Sequence, residues 1–144
     1  MALEIRLARP EDLPKLLTLL NEFRDTSQLK PQLAAQILHG LSTDSNVRLC
    51  VAELAGKIVG ASTLLIEQKF IHNGGKVGRI EDVVVGASSK GQGVGAAMVE
   101  QLILSAKSVG CYKVLLTCSL ELADYYGKFG FQQSEEVLMR LDIQ

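Results

Sequence analysis

The sequence predicts one α+β domain, a mixed sheet with helices packed on it and a C-terminal half of α/β type. Three features lead there. Runs with strand-like and helical periodicity alternate along the whole chain. A glycine-rich turn links a β-branched run, residues 80–85, to a helical pattern beginning at Val94. The chain has 144 residues, enough for one substantial core, and shows no linker, repeat or low-complexity segment.

Leu3-Glu4-Ile5-Arg6-Leu7 alternates and predicts a first strand, which Pro10 ends. From Glu11 to about Arg24, Leu13, Leu16, Leu17 and Leu20 recur at helical spacing, with Pro14 tolerable only in the first turn. Asp25 to Lys30 is a polar connector. Pro31 to Gly40 predicts a second helix, opened by proline and stopped by glycine, with His39 beside its last carbonyls. After a loop from Leu41 to Asn46, Val47 to Leu54 reads as a strand, Ala55-Gly56-Lys57 as a tight turn, and Ile58 to about Gln68 as the antiparallel partner. A second turn lies within Phe70 to Lys76, and Val77 to Val85 returns to complete a meander. Val94, Met98, Leu102, Ala106 and Val109 then form one apolar helix face. A strand from Lys113 to Cys118 and a short helix from about Glu121 to Phe129 follow. In a last strand, Val137, Met139 and Leu141 alternate with Leu138, Arg140 and Asp142. The predicted order is β-α-α-β-β-β-α-β-α-β.

Hydrophobic residues make up 47% and charged residues 22%, a soluble globular balance. A net charge of −1 gives no field that favours nucleic acid. Cys50, Cys111 and Cys118 have no metal-ligand spacing and flank or occupy apolar runs, which predicts reduced core thiols and no metal. No apolar run reaches the roughly 20 residues a membrane helix needs. Met1-Ala2-Leu3-Glu4 shows no secretory n-region and h-region, and Leu141-Asp142-Ile143-Gln144 is no import or retention address; both favour a cytoplasmic protein.

The glycine turn, Lys90-Gly91-Gln92-Gly93-Val94-Gly95, carries the chemistry. Glycine lets the backbone turn sharply and approach a ligand, and the first N–H groups of the helix have no intrahelical partner. Such an end binds phosphate. A P-loop would close with Lys-Ser or Lys-Thr, which is missing. A dinucleotide fingerprint requires Gly-x-Gly-x-x-Gly with an acid about 20 residues on. Neither that spacing nor that acid is present; Cys111-Tyr112-Lys113 falls there instead. The remaining pattern, Arg/Gln-x-x-Gly-x-Gly/Ala, resembles the pyrophosphate loop of the GNAT acetyltransferase superfamily, with Lys90 in place of Arg or Gln.

Further segments narrow the resemblance. Gln68-Lys69-Phe70-Ile71-His72, Ile80-Glu81-Asp82-Val83-Val84-Val85, Gly110-Cys111-Tyr112-Lys113, Tyr126-Gly127-Lys128-Phe129-Gly130-Phe131 and Met139-Arg140-Leu141 occur in one order. Together they resemble the glucosamine 6-phosphate N-acetyltransferase family, from about residue 47 to the C-terminus and more weakly through the N-terminal helices. That resemblance implies direct acetyl transfer from acetyl-CoA to the amine of glucosamine 6-phosphate in a ternary complex, on the route to UDP-N-acetylglucosamine. It also implies a homodimer that shares its sugar site through an exchanged C-terminal strand, with Tyr112 and Lys113 acting in the partner's pocket.

It further implies residue roles. Val83, Val84 and Val85 would pair their backbone with the pantetheine arm, and Lys90, Gly91, Gln92, Gly93, Val94 and Gly95 would hold the diphosphate, with Lys128 also on the cofactor. Lys69, Phe70, Ile71, His72, Tyr112, Lys113 and Thr117 would face the sugar phosphate, whose dianion calls for cations. Glu81 and Asp82, adjacent on a strand, would point to opposite faces; the resemblance places both in the sugar subsite, where the ligand's hydroxyls and ammonium satisfy an acid set in an apolar strand. Tyr126 would protonate the departing thiolate, and Asp82 is the second catalytic candidate. Tyr125 is assigned to packing.

Two departures from the family stand out. Thr117 replaces the acid that usually precedes the cysteine, here Cys118, and threonine is no base near neutral pH. The asparagine that usually precedes the Phe-Tyr pair is also absent from Leu122-Ala123-Asp124-Tyr125-Tyr126. Asp82, a backbone carbonyl or an ordered water therefore remain as acceptors of the amine's proton. Two rival readings stay open: an acetyltransferase for another small amine or a peptide N-terminus, and a non-catalytic acyl-CoA-binding module.

Overall fold

The computed structural model describes residues 2–144; Met1, the start of the segment read for a signal, lies outside them. A five-stranded sheet has the spatial order β1 (Leu3–Leu7), β2 (Val47–Leu54), β3 (Lys57–Gln68), β4 (Lys76–Val85), β5 (Cys111–Leu116). The first four strands pair antiparallel, whereas β5 joins β4 in parallel. A parallel neighbour requires a crossover, and helix α4 (Val94–Ser108) supplies it.

Each face of the sheet buries its own set of side chains. Val99, Leu102 and Ala106 of α4 pack on Cys50, Leu64, Ile66 and Ile80. On the other face Leu16 and Leu19 of α1 (Leu13–Phe23) pack on Val51, Ala61 and Val84. Helix α2 (Pro31–Thr43) packs beside α1 against β2. The entrance to α1 is fixed by charge. Arg6 on β1 donates from Nη1 and Nη2 to both carboxylate oxygens of Asp12, at 2.7 and 2.8 Å, and to Glu53 Oε1 on β2, at 2.6 Å. The bidentate pair is almost buried, so its geometry ties strand to helix.

Several expectations are corrected. The first helical run opens with a 3-10 turn, Pro10–Asp12, so that α1 begins at Leu13 with Pro14 in its first turn. Gly40 does not stop α2. The helix continues to Thr43, whose hydroxyl donates to the carbonyls of His39 and Gly40, so His39 is not terminal. Strand β5 covers Cys111–Leu116 rather than Lys113–Cys118, and the short helix, α5, covers Ala123–Gly127. Cys118 thus falls in the loop after β5 and is exposed, while Cys50 is buried and Cys111 partly so.

The predicted last strand is not formed within the single chain. Val137, Leu138, Met139, Leu141 and Ile143 lie off the sheet and are 73–85% exposed. The alternating pattern is real, but a strand needs a neighbour on which to pair. The outer edge of β5 has none among the described residues.

A candidate acyl-CoA cleft and acceptor face

Strands β4 and β5 separate where the cleft begins. Their pairing ends at Ile80 opposite Leu116, while β4 continues to Val85 and stays bonded to β3 on its other side. Among the described residues, the β5-side edge of residues 81–85 is therefore left without a strand partner. An extended ligand arm can take that place by main-chain hydrogen bonding.

A cavity of about 640 Å³ follows this edge to the helix N-terminus. Val83, Val84, Val85, Lys90, Gly91, Gly93, Val94 and Gly95 line it. Gly91 and Gly93 have φ of 80° and 82°, the left-handed region that side chains resist, and each has open space where a Cβ would stand. Gly93 is the N-cap of α4, and the first intrahelical bond runs from Ala97 N to Gly93 O. The N–H groups of Val94, Gly95 and Ala96 come before that bond and have no intrahelical acceptor. An open cradle beside free amides at the positive end of a long helix fits a diphosphate.

Three cofactor candidates fall elsewhere. Gln92 does not line the cavity; its Nε2 donates back to Ser88 O at 3.5 Å. Lys128 lies outside, with Nζ 5.9 Å from the Tyr125 ring. Tyr126 lines an adjoining cavity of about 270 Å³ together with Thr117, Cys118 and Glu136. Tyr125, assigned to packing, does line the 640 Å³ cavity, and its hydroxyl lies 3.3 Å from where a Cβ on Gly95 would be. Burial pushes the Tyr126 phenol up from its ordinary value, with smaller contributions from Tyr125 and Cys118. It stays protonated at neutral pH, and its ring meets Phe131 edge-on at 6.1 Å.

Glu81 and Asp82 are both exposed, and simple alternation does not hold between them. Between Ala61 and Thr63 the β3–β4 register shifts, and Asp82 has φ of 52°. This is a β-bulge, which bends the strand and turns the acid out of line. Asp82 lines a third cavity, with Thr26, Thr63 and Leu13, Leu16, Leu17 and Leu20 of α1.

The acceptor candidates gather on the sheet face away from α4. Ile80, Val114 and Leu116 pack on the α4 side. By alternation Arg79, Lys113 and Leu115 point to the opposite face, and Thr117 follows that pattern just beyond β5. Lys113 and Thr117 are exposed there. At the β3–β4 tip His72 and Asn73 take left-handed φ of 51° and 57° within the short turn α3 (Ile71–Gly74). This sets the His72 ring on that of Tyr112, with centroids 3.9 Å apart. Phe70 and Ile71 project into solvent rather than toward the other candidates. Lys69 is bonded to Glu67. Glu67 and Arg79 carry no local sequence signal; an acid and an arginine on neighbouring strands meet only through the β3–β4 register.

The splayed strands and the glycine cradle before α4 define an acyl-CoA-dependent N-acyltransferase fold. The chain belongs to the acetyltransferase (GNAT) family, whose model matches residues 13–131. Within it the chain belongs with the glucosamine 6-phosphate N-acetyltransferases. It is 36% identical to "Glucosamine 6-phosphate N-acetyltransferase" of Trypanosoma brucei brucei over 98% of this chain and 96% of that one. The crystal structure of glucosamine-6-phosphate N-acetyltransferase from Arabidopsis thaliana superposes with a TM-score of 0.89 at 32% identity, covering 98% and 99% of the two chains. A probable glucosamine 6-phosphate N-acetyltransferase 2 of rice is 49% identical over 52% of this chain, and that match spans about half the relative's length, 45%.

Proposed function

We propose that this protein transfers the acetyl group of acetyl-CoA to the amine of D-glucosamine 6-phosphate, releasing CoA and N-acetyl-D-glucosamine 6-phosphate. The observation that carries the reading is the free edge of Val83–Val85 leading directly into the Gly91–Gly93 cradle. The acceptor follows from the relatives' activity and from the cations on the face opposite α4.

In this reading the main chain of Val83–Val85 aligns the thioester arm, and the amides from Gly91 to Ala96 hold the diphosphate. Lys69, His72 and Lys113 of the same chain attract the sugar phosphate, rather than Lys113 acting in the partner's pocket. The amine nitrogen bonds to the thioester carbonyl carbon, and the carbon–sulfur bond then breaks. Asp82, directly or through water, takes the proton released from nitrogen, since Thr117 cannot. Tyr126 gives its proton to the departing sulfur, and its raised pKa keeps that proton available. No acyl-cysteine is required.

The working form is proposed to be a homodimer. The exposed apolar tail from Val137 to Ile143 and the open outer edge of β5 are complementary deficits. A tail exchanged between two copies would satisfy both. The free, unpaired thiols suit a reducing compartment, and cytoplasmic residence is tested by fractionation. No helix among the described residues is long and apolar enough to cross a membrane. The product would feed the making of UDP-N-acetylglucosamine.

The test is CoA release with glucosamine 6-phosphate and with unphosphorylated glucosamine. A strong preference for the phosphorylated sugar is expected. Equal rates would remove the phosphate-binding assignment of Lys69, His72 and Lys113. Coenzyme binding without turnover on either amine would favour a non-catalytic module.

A further inference from the structure

Glu67, Val77 and Lys113 lie in one row across β3, β4 and β5, because Glu67 pairs with Val77 and Val77 with Lys113. Arg79 is the next side chain along β4 on the same face. Its Nε lies 3.3 Å from Glu67 Oε2, and Lys69 Nζ binds the other oxygen, Oε1. One carboxylate therefore holds two cations, and both draw its pKa below the usual range, Lys69 first and Arg79 second. The terminal nitrogens of Arg79, Nη1 and Nη2, make no protein hydrogen bond among the described residues. Lys113 makes no ion pair among them either and stands one register step away.

We infer that Arg79, oriented by Glu67, is a specificity-determining residue that binds the acceptor's phosphate with its two free nitrogens beside Lys113. The inference rests on the proposed acceptor and extends its phosphate site by a residue. The guanidinium supplies a planar fork that fits two phosphate oxygens, which an ammonium cannot do. Glu67 occupies Nε alone and so aims the fork outward. It also offsets one of the cations, which keeps the face from holding stray anions too tightly. Lys69 acts from the far side of the same carboxylate. Glu67 touches no substrate in this scheme and is a positioning residue.

The experiment compares the wild type with Arg79→Gln, Arg79→Lys and Glu67→Gln. It measures KM and kcat on glucosamine 6-phosphate and glucosamine, the KM for acetyl-CoA, thermal stability, and inhibition by inorganic phosphate. Arg79→Gln should raise KM for the phosphorylated sugar by about 10-fold or more, the loss expected for hydrogen bonds to a charged group. Its KM for glucosamine and for acetyl-CoA should not move, and phosphate inhibition should weaken in parallel. Arg79→Lys should recover part of the loss. Glu67→Gln should lose a smaller part, through KM rather than kcat. Unchanged KM for the phosphorylated sugar, or equal losses on both sugars, overturns the inference while wild-type turnover leaves the proposed function standing. A wild type that acetylates glucosamine but not its 6-phosphate, yet is inhibited by phosphate in an Arg79-dependent way, upholds the anion site and rejects the proposed acceptor.

Discussion

Ile80 and Val84 lie on the same strand yet bury on opposite faces of the sheet, Ile80 against α4 and Val84 against α1. Residues an even number apart on a regular strand share a face, so a residue has been inserted between them. Asp82, at φ 52°, absorbs the extra step. The same bulge bends β4 from β5 and opens the edge on which the proposed cofactor arm lies. Fold and cleft therefore depend on one backbone irregularity.

Substitutions at Asp82 separate these two roles. Valine tolerates the left-handed region poorly, so Asp82→Val should cost about 1–3 kcal/mol and lower the melting temperature by several degrees. Asp82→Gly keeps the conformation without a side chain, so the fold should survive while kcat falls. Thermal melts and turnover of the two variants check this. A glycine variant with full activity would remove Asp82 from the proton path.

Two glycines with open space around them should respond in opposite ways. Gly93, at φ 82°, caps α4 inside the proposed cofactor cradle, and Gly40 lies in the regular turns of α2. Gly93→Val introduces strain and fills the cradle, so acetyl-CoA binding should be abolished by calorimetry. Gly40→Ala should stabilise the protein by about 0.5–1 kcal/mol, since alanine loses less chain entropy in a helix. Retained binding in the Gly93 variant would place the coenzyme elsewhere.

These glycines also show how much was legible from sequence. The glycine cluster, the β-branched strand before it and the helical period after it are local signals, and they mark the strand edge and helix N-terminus that line the large cleft. Gly40 misled because a glycine marks a helix end only on average; here Thr43 and the extended Asp44 end the helix instead. Asp82 misled because alternation presumes a regular strand, and nothing in Ile80-Glu81-Asp82-Val83 announces a bulge. The Glu67–Arg79 pair depends on register between β3 and β4, and Tyr125's place in the cleft depends on the orientation of α5. Both are tertiary facts with no local signature. The tail from Val137 alternates as a strand does, but the edge it needs is not offered by its own neighbours.

That tail yields a prediction about assembly. A chain ending at Ser134 should keep the secondary structure of β1–β5, because none of the buried core residues lies beyond that point. It should sediment as a monomer and lose acetyl transfer to glucosamine 6-phosphate. The full chain should sediment as a dimer and lose specific activity on dilution below its dissociation constant. A full-length chain that stays monomeric and active at all concentrations would refute the exchanged-tail dimer.

The phenol of Tyr126 offers the most direct test of chemistry. The side chain packs on the α4-side core, and burial favours its neutral form. As a general acid it works while protonated, so activity attributable to it is present at low pH and lost as pH rises through its pKa. Because that pKa is raised, kcat should show no loss from this group until pH exceeds the ordinary tyrosine value of about 10. Tyr126→Phe keeps the ring contacts with Tyr125 and Phe131 and removes only the proton donor. It should lower kcat by about 10²-fold or more with acetyl-CoA affinity unchanged, the pattern of an interaction that matters once charge develops on sulfur. Single-turnover rates across pH separate chemistry from product release. A variant whose rate matches the wild type would show that water, rather than Tyr126, protonates the leaving thiolate.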